Sequence, residues 1–225
     1  MMGRRREQGQ VARARELAGT RAEASACARS DLHAAFHEAG HFVAHRHLVP
    51  SESPVEIAIF GDGTGIYAPG EVRDRAKVRE RVVAVYAGAA ADLRLDPSRE
   101  EAIRFYARHD DLEAGRWLDR IGEREREADY RDRARSVVAE HWREIEVIAA
   151  MLLDLDALRG DVANMILDLV GGADLESAAK RLQVPPEAAM LIVPIFVLRL
   201  TPEHVNQVLA RHGYDPRQRA SNSAA

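Results

Sequence analysis

Residues 37–41 read His-Glu-Ala-Gly-His, which sets two histidines four positions apart with a glutamate directly after the first. On an α-helix, positions i and i+4 lie on the same face, so His37 and His41 can reach one metal ion. Glu38 stands beside them, where it can contact a water bound to that ion. Zinc with three protein ligands keeps a fourth position for water and lowers that water's pKa to about 7. The spacing therefore predicts a catalytic site with Zn²⁺ as cofactor and amide hydrolysis as its chemistry.

The sequence around this motif favours a helix. Ser30 or Asp31 can cap its N-terminus, and Pro50 stops it shortly after the motif. His33 and His45 continue the four-residue stripe, but each such step drifts by about 40° around a helix of 3.6 residues per turn. We expect both histidines at the rim of the site or in solvent, and the third ligand elsewhere in the chain.

Composition limits the class of protein. A chain of 225 residues with 46% hydrophobic content can bury one core, or one domain and a small appendage. A net charge of -4 gives no general reason to expect nucleic acid or an anionic membrane as partner. Cys27 has no second cysteine to pair with, which suits a reducing compartment. With no signal-peptide core and no apolar run of about 18 residues, we expect a cytoplasmic protein without a membrane span.

The hydrophobic pattern predicts a mainly α fold with a small β-sheet or hairpin. Residues 55–60 alternate as a strand does, and a glycine-rich turn at 61–65 leads to a return strand. Helical patterns follow at about 71–93 and 102–121. Apolar residues at steps of three and four then predict one long helix over about 134–155.

An ordered set of motifs resembles the peptidase domain of the FtsH-type zinc metalloproteases. The His-Glu-Ala-Gly-His motif alone is weakly specific, whereas the set is considerably stronger. The resemblance covers about residues 31–168 and implies a zincin-like helical peptidase domain. The features that carry it are the motif helix, the strand and glycine turn from Val55 to Gly65, the small-residue segment 86–92, the pair Asp111-Leu112, and the closing segment 152–161 with its Leu-Arg-Gly-Asp turn.

This resemblance also suggests a division of the chain. Residues 1–29 form an Arg-rich leader that we expect to be flexible, and residues 30–170 form the FtsH-like zinc peptidase domain. We expect a C-terminal helical appendage at 171–216 and a tail at 217–225.

In that family an aspartate after the small-residue helix is the third zinc ligand. We favour Asp111, because Leu112 and Arg120 then match the family pattern. Asp110 is the alternative ligand and aligns Ala114 better. Either aspartate can instead be the N-cap of the next helix, a common use of Asp.

Asp92 stands where the family has a glutamate at the end of the small-residue helix. It can be a partner that binds and orients a ligand imidazole, or an ordinary surface carboxylate. His109, beside the ligand candidates, is expected to be exposed.

The resemblance implies a zinc metalloendopeptidase that acts on peptides or unfolded protein segments. The chain contains no Walker A sequence, so the isolated chain is expected to act independently of ATP, and a separate ATPase or adaptor is a possible partner. The strand Val55 to Phe60, as an edge strand, is expected to bind an extended peptide, with Ile57 and Ile59 as substrate-binding residues.

Another class of function stays open: a regulatory protein whose zinc peptidase site is degenerate or dedicated, acting as an interaction module or cleaving a repressor. Residues 178–184 resemble the first helix and turn of a helix-turn-helix. The following run 188–198 has no charge and contains Pro194, which makes a poor recognition helix, so we do not expect nucleic acid as a partner. The run fits a docking surface or a core segment better.

Overall fold

The computed structural model describes residues 31–50, 56–61, 63–68, 75–184, 193 and 197–214. Within these ranges the chain is mainly helical with one small antiparallel sheet, as the sequence predicted. Short 3₁₀ turns occupy Pro97–Arg99 and Arg124–Arg126. The helices and strands are α1 (Asp31–Leu48), β1 (Glu56–Ile59), β2 (Gly65–Ala68), α2 (Arg75–Leu95), α3 (Glu100–Tyr106), α4 (Arg108–Ile121), α5 (Glu127–Glu140), α6 (Trp142–Leu155), β3 (Ala157–Arg159), α7 (Gly160–Val170), α8 (Leu175–Leu182) and α9 (Pro202–Arg211).

Helix α1 lies at the centre of the fold, with every residue from His33 to His45 buried. It packs most extensively on α2. At Gly40 the two helices approach so closely that a Cβ would lie 2.7 Å from the carbonyl oxygen of Ala87 and 2.8 Å from Cβ of Ala91. The small residues of α2 therefore pack tightly on α1, and Gly40 makes this close approach possible.

Helix α6 closes the other side of α1. Its residues Ile145, Ile148 and Leu152 are fully buried, and the ring of Trp142 lies 5.1 Å from that of Phe36 on α1. The apolar faces of α1, α2 and α6 thus form one core, which fixes the direction in which α1 presents its histidines.

The sheet has the order β2-β1-β3, with both pairs antiparallel. Ile57 stands opposite Tyr67 on one side and Leu158 on the other. The expectation that β1 is an edge strand is therefore wrong, because β3 covers its second side. Ile57 and Ile59 are 0% and 5% exposed, so they are core residues and cannot be the substrate-binding residues we expected.

The long helix predicted over 134–155 is two helices, α5 and α6, which meet at His141. The backbone of His141 has φ −105° and ψ 22°, outside the helical region. Its amide still donates to the carbonyl of Val137 (3.0 Å), and its carbonyl accepts from the amide of Ile145 (3.1 Å). Because helical hydrogen bonds of the i to i+4 type are present on both sides of His141, the apolar residues keep their helical spacing through the bend. The sequence pattern therefore does not reveal the bend. The block predicted over 102–121 is likewise divided, at Ala107.

The C-terminal helices pack on the same core. Val205, Val208 and Leu209 of α9 and Ala178 of α8 are buried in the cluster that contains Phe36. Of the run 188–198, the structure describes a buried Val193 and the exposed Val197 and Leu198. The expected leader 1–29, the start of the helix predicted from residue 71, position 55 of the predicted strand and the tail 217–225 lie outside the described residues. Among the described helices, none combines the length and apolar character needed to cross a membrane.

Candidate metal centre

Three side chains from two helices converge beside α2. His37 and His41 project from the same face of α1, with ring centroids 4.6 Å apart, as their spacing predicted. Asp110, in the first turn of α4, places Oδ2 3.0 Å from Nε2 of His37 and 3.6 Å from Nε2 of His41. The two imidazoles are buried, whereas the Asp110 side chain is 21% exposed. The group can hold a metal ion and opens towards solvent on the side of the carboxylate.

The other nitrogen of each imidazole is held by α2. Nδ1 of His37 donates to Oδ2 of Asp92 at 2.8 Å, and Nδ1 of His41 donates to the carbonyl oxygen of Ala84 at 2.9 Å. A bond at Nδ1 fixes the ring orientation and leaves Nε2 as the nitrogen that can coordinate. Both Nε2 atoms consequently point at Asp110.

Asp92 is a buried residue, 1% exposed, which excludes the alternative of a surface carboxylate. Besides His37, it lies 3.4 Å from Nδ1 of His33 through its second oxygen. Of the two alternatives that the sequence left open for Asp92, an orienting role stays a prediction, and the hydrogen bond to His37 agrees with it.

Gly88 of α2 makes room at the coordinating nitrogens. A Cβ at this position would lie 2.8 Å from Nε2 of His37 and closer still to Nε2 of His41. A larger residue would crowd the two nitrogens that could coordinate a metal ion. In the sequence, Gly88 is one of several small residues in the segment 86–92, and nothing in that pattern marks it as a neighbour of the histidines.

Glu38 is buried on the side of the sheet. A Cβ on Gly65 of β2 would lie 2.6 Å from Cγ of Glu38 and 2.8 Å from Oε1. The backbone of β2 therefore covers the glutamate, and only glycine fits there without displacing it. The sequence indicated Gly65 as the end of a turn, so this second role was missed.

The structure brings Asp110, and not the preferred Asp111, to the histidines. Adjacent residues on an α-helix point about 100° apart, so only one of the two can face α1. Oδ1 of Asp111 instead lies 2.8 Å from Nη2 of Arg131 on α5. Neither aspartate is an N-cap, since α4 begins at Arg108 and its cap is Ala107.

His33 and His45 are buried, which corrects the expectation that they lie at the rim or in solvent. His33 reaches Asp92, and Nδ1 of His45 is hydrogen-bonded to the hydroxyl of Tyr67 on β2. The Tyr67 ring also stacks against His41, with centroids 5.5 Å apart. His33 and His45 are buried like His37 and His41, because neighbouring elements enclose α1 along most of its length. His109 is exposed, as expected.

The electrostatics of the centre keep its carboxylate charged. Burial raises the pKa of Asp110, but the adjacent imidazoles of His37 and His41 outweigh that effect and hold the pKa well below its ordinary value. An ionised carboxylate with two imidazoles is a donor set suited to a divalent ion of the first transition row or to zinc.

Comparison with known proteins finds no family model that matches the chain and no matching relative among curated proteins. The similarity to the FtsH-type peptidase domain therefore rests on the order of the motifs in the sequence.

Proposed function

We propose that this protein is a zinc metalloendopeptidase with an FtsH-like peptidase domain, which hydrolyses peptide bonds in peptides or unfolded segments. The observation that carries the proposal is the convergence of His37, His41 and Asp110, with Nδ1 of both imidazoles already bound by α2. Asp110 takes the place that we first gave to Asp111. A purely structural histidine pair would not need a glycine opposite both of its Nε2 atoms.

The residues present fit zinc. Two imidazole nitrogens and one carboxylate are a known ligand set of catalytic zinc sites, and Gly88 leaves the space that the ion needs. When bound, zinc supplies a water whose pKa is lowered to about 7 and polarises the scissile carbonyl. Asp92 and the Ala84 carbonyl keep the imidazoles oriented while this chemistry takes place.

Glu38 is the proposed general base. It follows a proposed ligand directly, is enclosed by β2, and lies on the helix that carries both imidazoles. Its carboxylate takes the proton of the attacking water and passes it to the leaving amine, a role for which enclosure from bulk water is favourable.

An extended peptide is the substrate that this arrangement suits best. Since β1 is covered on both sides, the peptide would approach β2, which is at the edge of the sheet that the described residues form and contacts Glu38 through Gly65. The chain lacks a Walker A sequence, so folded substrates would have to be unfolded by a separate ATPase or delivered by an adaptor.

The test is cleavage of casein, an unstructured protein, by zinc-loaded protein and by the variant Glu38→Gln. Because Glu38 is a base and not a ligand, the variant should keep its zinc and lose at least about 100-fold in rate. The matched control is Glu101→Gln, an exposed residue in the first turn of α3, which should cleave as the wild type does. Equal rates in wild type and Glu38→Gln, or no cleavage by the wild type with zinc bound, would rule out the proposal.

A further inference from the structure

A second cluster of metal-binding side chains lies at the far end of α1. His47 is in the last turn of α1, His141 is at the bend between α5 and α6, and Glu144 is in the first turn of α6. The candidate ligand atoms of these three residues all lie within 4.8 Å of one another. His47 is six residues beyond His41, about 9 Å along the helix axis, so the two groups are separate.

Both imidazoles share one carboxylate. Nε2 of His47 lies 2.9 Å from Oε2 of Glu144, and Nδ1 of His141 lies 3.4 Å from Oε1. The two rings stack nearly parallel, with centroids 3.6 Å apart and an interplanar angle of 13°. Stacking keeps the two rings together, and their contacts with Glu144 keep its two oxygens beside them. Two ring nitrogens and two carboxylate oxygens therefore lie close together at the surface.

The surrounding charges favour a cation there. Oε1 of Glu140 lies 3.9 Å from the second ring nitrogen of His141 and adds negative charge. Arg46 of α1 contributes positive charge near Glu144, but its guanidinium is paired with Asp168 at 2.7 Å and donates to Asn164 at 2.9 Å on α7, which offsets that charge.

We propose that His47, His141 and Glu144 form a second site for a divalent transition-metal ion, of the class of Zn²⁺, Ni²⁺ or Cu²⁺. Two imidazoles and a carboxylate prefer these ions to Mg²⁺ or Ca²⁺. Tetrahedral ligands at about 2.1 Å from zinc are about 3.4 Å apart, so the side chains need to move by roughly 1 Å. The stacked rings must also turn out of their parallel arrangement so that both nitrogens point at the ion. All three side chains are partly exposed, which leaves them room for that movement.

An ion at this site would join residues that are 97 positions apart in the chain. It would fasten the C-terminal end of α1 to the start of α6 and stabilise the folded state, since it binds a geometry that the unfolded chain lacks. Its role is therefore structural or regulatory.

The experiment counts zinc ions bound per chain after equilibrium dialysis of metal-stripped full-length protein against excess Zn²⁺. His47→Gln and His141→Gln should each bind one ion fewer than the wild type. The control His212→Gln, at an exposed position after α9, should bind as many as the wild type. The difference between variant and wild type is informative whether or not the first centre binds zinc.

Thermal unfolding provides the second readout. Added Zn²⁺ should raise the midpoint more in the wild type than in either histidine variant. If His141→Gln fails to fold because it lies at the bend, His47→Gln, at the exposed end of α1, decides. A zinc count in His47→Gln equal to that of the wild type would overturn the proposal.

Discussion

Asp92 accepts a hydrogen bond from Nδ1 of His37 over 2.8 Å and so joins the end of α2 to the middle of α1. The two residues are 55 positions apart, and both are buried. A carboxylate in this place fixes the imidazole plane and makes the opposite nitrogen a better ligand. The affinity of the centre for metal should depend on it although Asp92 is not among the three converging ligands.

We expect Asp92→Asn to bind Zn²⁺ about 10- to 100-fold more weakly than the wild type, because the amide lacks the negative charge that orients and polarises the ring. Competition with a chromophoric chelator measures the affinity. The control is Asp96→Asn, since the Asp96 carboxylate binds Ser98 and not a histidine. Wild-type affinity in Asp92→Asn would show that the hydrogen bond is only a packing contact.

The adjacent aspartates of α4 should differ sharply. Asp110→Ala should lose most of its bound zinc, since it removes one of three proposed ligands, whereas Asp111→Ala should retain zinc. Loss of the partly exposed Asp111–Arg131 pair should cost only about 0.2–1 kcal/mol of unfolding free energy. Metal analysis of the purified proteins and urea unfolding check the two expectations. Zinc loss in Asp111→Ala alone would return the ligand to the position chosen from sequence.

The two adjacent aspartates, Asp110 and Asp111, show what the sequence alone cannot predict. The four-residue spacing of His37 and His41 specifies their common face, because it depends on local helix geometry alone. The choice between Asp110 and Asp111 depends on how α4 is rotated against α1, and Asp110 is 73 residues from His37 in the chain. No local pattern reports that rotation.

The third strand shows a related limit. Helix α1 and the β1–β2 hairpin could be predicted, because each has a regular pattern of apolar residues in its sequence. Strand β3 has only three residues directly after a helix, too few for an alternation to be recognised. It forms because β1 is available to pair with it, and its absence from the prediction made β1 look like an edge strand.

Asp168 of α7 gives a prediction of pH dependence. It binds Arg46 of α1 and Arg181 of α8. Burial raises the pKa of Asp168, but the hydrogen bonds from the two arginines lower it by a larger amount. The pKa in the folded state therefore lies below the unfolded value of about 3.9. The stabilisation is therefore complete above the unfolded pKa and is lost as the pH falls through the folded pKa.

At neutral pH, Asp168→Asn should lower the free energy of unfolding by about 1 kcal/mol, a modest value because the ion pairs are partly exposed. The difference from the wild type should shrink below about pH 4. Urea unfolding between neutral pH and about pH 3 measures it. A difference that does not change with pH would mean that Asp168 stabilises the fold by packing and not by charge.

Two helical glycines provide the last test, because an added Cβ would meet different neighbours. At Gly115 it would meet the guanidinium of Arg124, the end of a flexible and partly exposed side chain that can move away. Gly115→Ala should therefore be tolerated, or should stabilise α4 by up to about 1 kcal/mol through helix propensity. At Gly88 it would meet the imidazoles of His37 and His41, which Asp92 and the Ala84 carbonyl hold in place.

Gly88→Ala should consequently cost about 1–3 kcal/mol of stability by overpacking, and the displaced rings should bind zinc poorly. Urea unfolding and zinc titration of both variants measure the two effects side by side. The diagnostic result is loss of zinc in Gly88→Ala with wild-type zinc binding in Gly115→Ala. If Gly88→Ala binds zinc as tightly as the wild type, the space beside the two Nε2 atoms is not where the ion sits, and His37 and His41 must be assigned another role.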